Sequence, residues 1–207
     1  LAWIEQEAGS VQLLSREEVE QPKVLLAAAH DSETVLLVGG DPLSATTHVS
    51  LRLQCREAGV ECHVVHNASV LTAVTGELGL QHYRFGPVAT LVLPEGNYKP
   101  LSPAKQVLQN LELGFHSLVL LDIHADDPAA EPRLMTAHEG AVLLLDGGVL
   151  PEALACAAAR VGRSDQKLWA GSLGEMPQAD LGQTPHSLVI PGKLHFVEEE
   201  ALATLRE

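Results

Sequence analysis

The alternation of apolar and polar positions divides the chain into short segments of two periods. Residues 10–14 (SVQLL) alternate as a short strand does, and Ser15 ahead of Glu17 and Glu18 marks a helix running toward His30 with Pro22 inside it. Residues 34–38 (TVLLV) form a continuous apolar run of strand length closed by Gly39 and Gly40, which suits a strand buried on both faces. A helix capped at Thr46 or Thr47 and ending near Gly59 follows. Then come a strand over 60–66 and a short helix over 69–76. Gly76, Gly79 and Gly86, in a stretch of little periodicity, mark the domain boundary. Beyond it the pattern predicts a strand at 88–93, a loop holding Pro94, Gly96 and Pro100, and a helix over 104–113. A strand at 117–123, an acidic Pro-containing loop at 124–132 and a helix over 136–146 come next. Alanine propensity favours helix at 153–159, but the place after a βα unit and the Arg160-Val161-Gly162 ending favour a strand. Residues 187–191 read as a strand and 197–206 as a terminal helix. The alternation predicts an α/β protein of two α/β domains, residues 1–80 and 85–207, with mostly parallel or mixed sheets.

Composition narrows the function. Hydrophobic residues make up 46% of the 207, enough for a substantial core, but aromatics are only 3%, so Leu, Val and Ala must build it. No apolar run reaches the roughly 18 residues that span a bilayer, and the opening LAWIEQE lacks the basic start and long apolar stretch of a signal peptide. A cytoplasmic protein with no membrane partner is expected. Cys55, Cys62 and Cys156 form no CxxC pair and fit reduced thiols. The net charge of −14 repels phosphate backbones and disfavours nucleic acid, while remaining compatible with a cationic small molecule or a basic patch on a protein partner. The first residues lack Met and read as the tail of a helix, so residues ahead of Leu1 are expected to be absent from this sequence. A shorter gap is expected near 145–150.

Three polar stretches fall where predicted strands end, the place where open α/β sheets bind ligands. The first is Gly39-Gly40-Asp41-Pro42-Leu43-Ser44-Ala45-Thr46-Thr47-His48, in which glycines permit a sharp turn, Pro42 stiffens it and Asp41 stands at the sheet edge. By spacing alone a plain strand-to-helix turn with a helix-capping Asp is the favoured reading; it is neither a GxGxxG loop nor a P-loop. The second is His66-Asn67-Ala68-Ser69-Val70, where Ser69 either caps the following helix or offers its amide or hydroxyl to a ligand. The third is Pro185-His186 with Pro191-Gly192-Lys193-Leu194-His195; a lone His such as His186 is more often structural than catalytic. Asp122 and His124 share one face of a predicted strand, whereas His63 and His66 do not. No HExxH, paired CxxC or GxSxG elbow is present, and no metal site is expected.

Taken in order along the chain, these stretches resemble the tetrapyrrole-methylase-like methyltransferases, in the branch that acts in diphthamide biosynthesis. The resemblance is carried by Gly40-Asp41-Pro42-Leu43, Ala45-Thr46-Thr47-His48, Val65-His66-Asn67-Ala68-Ser69 and Leu120-Leu121-Asp122-Ile123. It continues through Met135-Thr136-Ala137, Ala159-Arg160-Val161-Gly162, Asp165-Gln166-Lys167, Pro185-His186-Ser187-Leu188 and Pro191-Gly192-Lys193-Leu194-His195. Each is weak alone; their joint order and spacing are specific, and the last looks like the archaeal form. The resemblance implies a homodimer of two-domain subunits with S-adenosylmethionine in a cleft between the domains and S-adenosylhomocysteine as product. The implied reaction methylates the amino group of a modified histidine on translation elongation factor 2. By position, the implied cofactor contacts are Asp41, Ser44, Ser69, Val70, Leu121, Val161 and His186. The family opens with a strand and a Gly-Leu-Gly-Leu turn that this chain lacks.

Methyl transfer needs a neutral amine, hence a proton acceptor or a site that disfavours the ammonium; Asp122, His124 and His48 are candidates by character. Other readings remain: a precorrin-type tetrapyrrole methylase of the same fold, a Rossmann oxidoreductase, whose GxGxxG loop is not visible, and a non-catalytic interaction module.

Overall fold

The computed structural model describes residues 2–94, 96, 100–125 and 131–206. Parts of two predicted loops, residues 95 and 97–99 and residues 126–130, lie outside the described residues. The chain forms two compact units, Leu1–Asn67 with His124–Pro132, and Ala68–Ile123 with Arg133–Glu207.

Among its described residues the first unit holds four helices: α1 (Ala2–Ala8), α2 (Arg16–Glu20), α3 (Lys23–Asp31) and α4 (His48–Glu57). Ser15 and Glu18 close a reciprocal capping box at the start of α2, so the N-terminal signal in the sequence is realised. The single helix predicted toward His30 is instead two, because Pro22 has no N–H to give and its ring obstructs the preceding turn. Helix α4 starts after Thr47 and ends before Gly59, whose φ of 71° reverses the chain. It buries Leu51 and Cys55, four residues apart on one face. The strands predicted at 10–14, 34–38 and 60–66 join no ladder among the described residues. Val35 is 70% exposed and Val65 86%. An apolar run supplies side chains for a strand, but the ladder also needs a neighbour's N–H and C=O groups.

The second unit is built on a sheet. Its strands are β1 (Ala89–Thr90), β2 (Ser117–Leu120), β5 (Leu154–Ala159), β6 (Lys167–Ser172) and β7 (His186–Ile190), in the order β1-β2-β7-β5-β6. Two further short strands, β3 (Ile123–His124) and β4 (Arg133–Leu134), make a separate pair. The main sheet is mixed: β1 and β2 are parallel, and the pairs β2–β7, β7–β5 and β5–β6 are antiparallel. Strand β6, unmarked by any apolar run, is the return arm of a hairpin. The connection 160–166 is far shorter than the dozen or so residues that a parallel crossover needs.

Helices α5 (Val70–Glu77), α6 (Ser102–Glu112), α7 (Ala137–Asp146) and α8 (Phe196–Ala203) complete the described elements, with 3₁₀ turns at His82–Arg84 and Met176–Gln178. Strand alternation distributes two cores. Val119, Ala155, Ala157, Ala159, Leu188 and Ile190 pack with Ala104 and Val107 of α6 and with Ala137, Ala141 and Leu144 of α7. Leu118, Cys156, Ala158 and Val189 pack on the other side with Val74, Leu78, Leu80 and Leu202. Each fully buried leucine here contributes about 1.5–3 kcal/mol of transfer free energy. Small residues allow this close layering: a Cβ on Gly140 of α7 would meet Leu121 at 2.7 Å. The second core also explains where the units part. Val74 and Leu78 carry α5 into the second unit, so the two compact units part after Asn67, ahead of the glycine-containing stretch 76–86.

Candidate functional site

In the first unit the turn after 34–38 is organised around one carboxylate. Asp41 Oδ1 accepts the Leu43 N–H at 2.9 Å and the Ser44 hydroxyl at 3.2 Å. Its Oδ2 accepts from His66 Nδ1 at 2.8 Å and from the Asn67 N–H at 3.3 Å. The first two predicted polar stretches, 25 and 26 residues apart for these pairs, are thus tied together at one side chain that is only 10% exposed. The His66 bond, reinforced by the Leu43 amide, lowers the Asp41 carboxyl to about 2. With four donors already engaged, Asp41 acts as the pin of this turn. Gly40 and Ala45 adopt left-handed φ of 78° and 53°; for Ala45 that conformation is sterically disfavoured and is held by the surrounding turn. His48 Nδ1 meets the Pro42 carbonyl at 2.8 Å, so Nδ1 carries the proton and Nε2 holds the lone pair of the neutral ring.

In the second unit, Ser69 caps α5 by accepting the Leu71 N–H at 3.2 Å, and Val70 packs against the core that also contains Val161. The sheet gathers three of the expected contacts at one end. Ala159 pairs with His186, which places Val161 two residues past that pair. The β2–β7 register brings Ser117 opposite Ile190 and Val119 opposite Leu188; carried on, it brings Leu121 opposite His186. The His186 ring is itself engaged: Nδ1 accepts the Ala137 N–H at 3.2 Å and Nε2 donates to the Gln183 carbonyl at 3.1 Å. Burial pushes its pKa below the usual histidine value despite that carbonyl. The ring is therefore neutral and anchors the first turn of α7.

Asp122, at the same sheet end, accepts the Leu93 N–H at 2.8 Å, and its own carbonyl accepts the Met135 N–H at 2.9 Å. Among the described residues no group of three or more His, Cys, Asp or Glu is placed to hold a metal ion, and no helix is long and apolar enough to cross a membrane. A cavity of about 530 Å³ runs between Leu93-Pro94 and one face of α7, lined there by His138, Glu139, Val142 and Asp146; none of the seven expected contacts lines it.

Two polar centres have no local signature along the chain. Glu198, with no exposed surface, accepts from the Gln81 and His195 N–H groups, from Arg84 Nη1 and from His116 Nε2 at 2.7–3.3 Å. His116 Nδ1 accepts the Gly192 N–H at 2.9 Å, which fixes the tautomer. Burial lowers the His116 pKa, against the pull of Glu198. Burial raises the Glu198 carboxyl, but its donors outweigh that and leave it low. These residues lie 82 to 117 positions apart, beyond any local pattern; only the His195-x-x-Glu198 spacing, a capping box at the start of α8, was readable locally. The second centre is the guanidinium of Arg160, buried beneath the loop that leads into β7.

The described residues thus form a mixed α/β scaffold with polar turns and apolar side chains collected at strand ends. Residues 3–177 match the family described as tetrapyrrole (corrin/porphyrin) methylases. The chain belongs to this family and is a methyltransferase. It is 40% identical to diphthine synthase of Methanocaldococcus jannaschii over 205 residues, covering 95% of this chain and 79% of that protein. It is 38% identical to diphthine synthase of Methanothermobacter thermautotrophicus over 213 residues, covering 99% and 79%. A crystal structure of diphthine synthase superposes with a TM-score of 0.85 at 30% identity, covering 98% of this chain and 78% of that one.

Proposed function

We propose that this chain methylates the amino group of the modified histidine of translation elongation factor 2 during diphthamide biosynthesis, using S-adenosylmethionine and releasing S-adenosylhomocysteine. The observation that carries the reading is the 38–40% identity to diphthine synthases across nearly the whole chain, which is more specific than membership of the broader methylase family. The cofactor contacts are Asp41, Ser44, Ser69, Val70, Leu121, Val161 and His186. Their chemistry suits an adenosyl sulfonium: apolar Val70, Leu121 and Val161 for the adenosyl part, a neutral ring at His186, and a turn shaped by the left-handed Gly40 and Ala45. Asp41 keeps that turn in shape and sets a negative charge beside it.

When bound, S-adenosylmethionine supplies a methyl carbon already activated by its sulfonium. The chain's task is therefore to hold the amine in line with that carbon, a positioning effect worth on the order of 7 kcal/mol or more in favourable cases. The amine must also be neutral. His48, with Nδ1 committed to the Pro42 carbonyl and the lone pair on Nε2, is the proton acceptor this reading favours over Asp122 and His124. The protein works in the cytoplasm as a homodimer.

The test is transfer of label from tritiated S-adenosylmethionine to elongation factor 2 carrying the unmethylated intermediate. Label on the factor supports the reading. Label on a corrinoid precursor in its place would assign the chain to the tetrapyrrole-acting branch.

A further inference from the structure

The side chain of Arg160 joins two loops that the sheet alone would leave independent. Its Nε donates to Asp165 Oδ2 at 2.8 Å and Nη2 to the Asp165 carbonyl at 2.7 Å, bracing the turn 160–166. Its Nη1 donates to the Leu181 carbonyl at 2.9 Å and to the Gln183 carbonyl, reaching the segment that enters β7. The Arg160 N–H adds a bond to the Pro185 carbonyl at 2.9 Å. The residue is 6% exposed and has a φ of 52°, a left-handed conformation that an L side chain adopts only when its surroundings enforce it. Gly182 lies against the guanidinium: a Cβ there would stand 3.3 Å from Nη2.

One atom makes this more than a structural staple. The Gln183 carbonyl that accepts Arg160 Nη1 also accepts His186 Nε2. The orientation of the His186 ring is therefore coupled to the guanidinium through a shared acceptor, and the backbone at Val161 is coupled to it through the adjoining turn. We propose that Arg160 is a positioning residue for cofactor binding, fixing the His186 ring and the Val161 backbone as one surface. This rests on the reading above that Val161 and His186 contact the cofactor. Lysine cannot substitute, because one ammonium cannot serve the carbonyls of two loops and a carboxylate in the planar fork that arginine provides.

The experiment measures S-adenosylhomocysteine binding by calorimetry, steady-state methyl transfer and thermal unfolding for the unaltered protein, R160K, R160A and D165N. R160K is expected to fold and to bind about tenfold or more weakly, with KM for S-adenosylmethionine raised in proportion and kcat within about threefold of the unaltered protein. Methylguanidinium is expected to restore binding to R160A and to leave the unaltered protein unaffected. D165N, which removes only the exposed end of the clamp, is expected to weaken binding by about twofold to fivefold and to fold normally. A folded R160K that binds as the unaltered protein does overturns the inference. Should both Arg160 variants fail to fold, D165N decides: unchanged affinity overturns it. An unaltered protein that binds no S-adenosylhomocysteine overturns the functional reading, and this inference with it.

Discussion

Residues 34–38 and β5 make an instructive pair. The first, TVLLV, is rich in β-branched and large aliphatic side chains; the second, LACAAA, is composed mainly of the strongest helix former. Intrinsic preference ranks them one way and the structure ranks them the other. Strand β5 has a partner on each side, and Ala155 through Ala159 are buried. Residues 34–38 pair with nothing among the described residues and leave Val35 and Leu37 in water. Small side chains let two layers of helix close on β5, and the ladders satisfy its backbone. Strand character in this chain is thus conferred by neighbours, and the turn after 34–38 is held instead by a polar pin at Asp41.

That contrast can be broken at several points. The largest effect is expected for Glu198→Ala, which strands His116 and Arg84 and two amides without their acceptor; loss of one partner of a buried charged pair costs about 3–5 kcal/mol. A melting temperature close to that of the unaltered protein would show that the second unit does not depend on this network. Leu144→Ala, in the core under α7, is expected to cost about 2–5 kcal/mol in denaturant unfolding. A smaller effect comes from pH. The His116 and His186 pKa values lie below the ordinary histidine value in the folded chain, so the unfolded chain binds the extra protons first as pH falls through about 6.5. Stability should decline from pH 7.5 to 5.5; a flat profile would show that these rings protonate without penalty. The Asp41 carboxylate acts in the opposite sense, its contribution present above about pH 4 and lost as pH falls toward 2. Asp41→Ala should leave the second unit's melting unchanged while weakening S-adenosylmethionine binding, and equal affinity in calorimetry would remove Asp41 from the site. The smallest effect is expected for Val35→Thr, within about 0.5 kcal/mol; a large loss would mean that 34–38 is packed after all.

Much of the second unit was legible in the sequence. The apolar runs at 117–123 and 187–191 and the helix over 136–146 correspond to β2, β7 and α7, and the Arg160-Val161-Gly162 ending correctly resolved β5 against its own alanines. Strand β6 was not legible, because Lys167, Gly171 and Ser172 interrupt any period and only the hairpin imposes its conformation. Asp41, Ser69 and His186 stood out as residues of turns and strand ends, but Leu121 and Val161 are indistinguishable from core positions and came through resemblance alone. His66 was visible as a polar strand end, yet its bond to Asp41 required the fold. Arg160 stands in the sequence only as the end of a strand; nothing local announces that its side chain reaches the carbonyls of Leu181 and Gln183.

The central proposal is that the strand ends carrying Val161 and His186 bind S-adenosylmethionine. Hydrogen–deuterium exchange with and without S-adenosylhomocysteine tests it most directly. The account predicts slowed exchange at residues 160–162 and 184–187. Exchange unchanged by the ligand at both segments would contradict it.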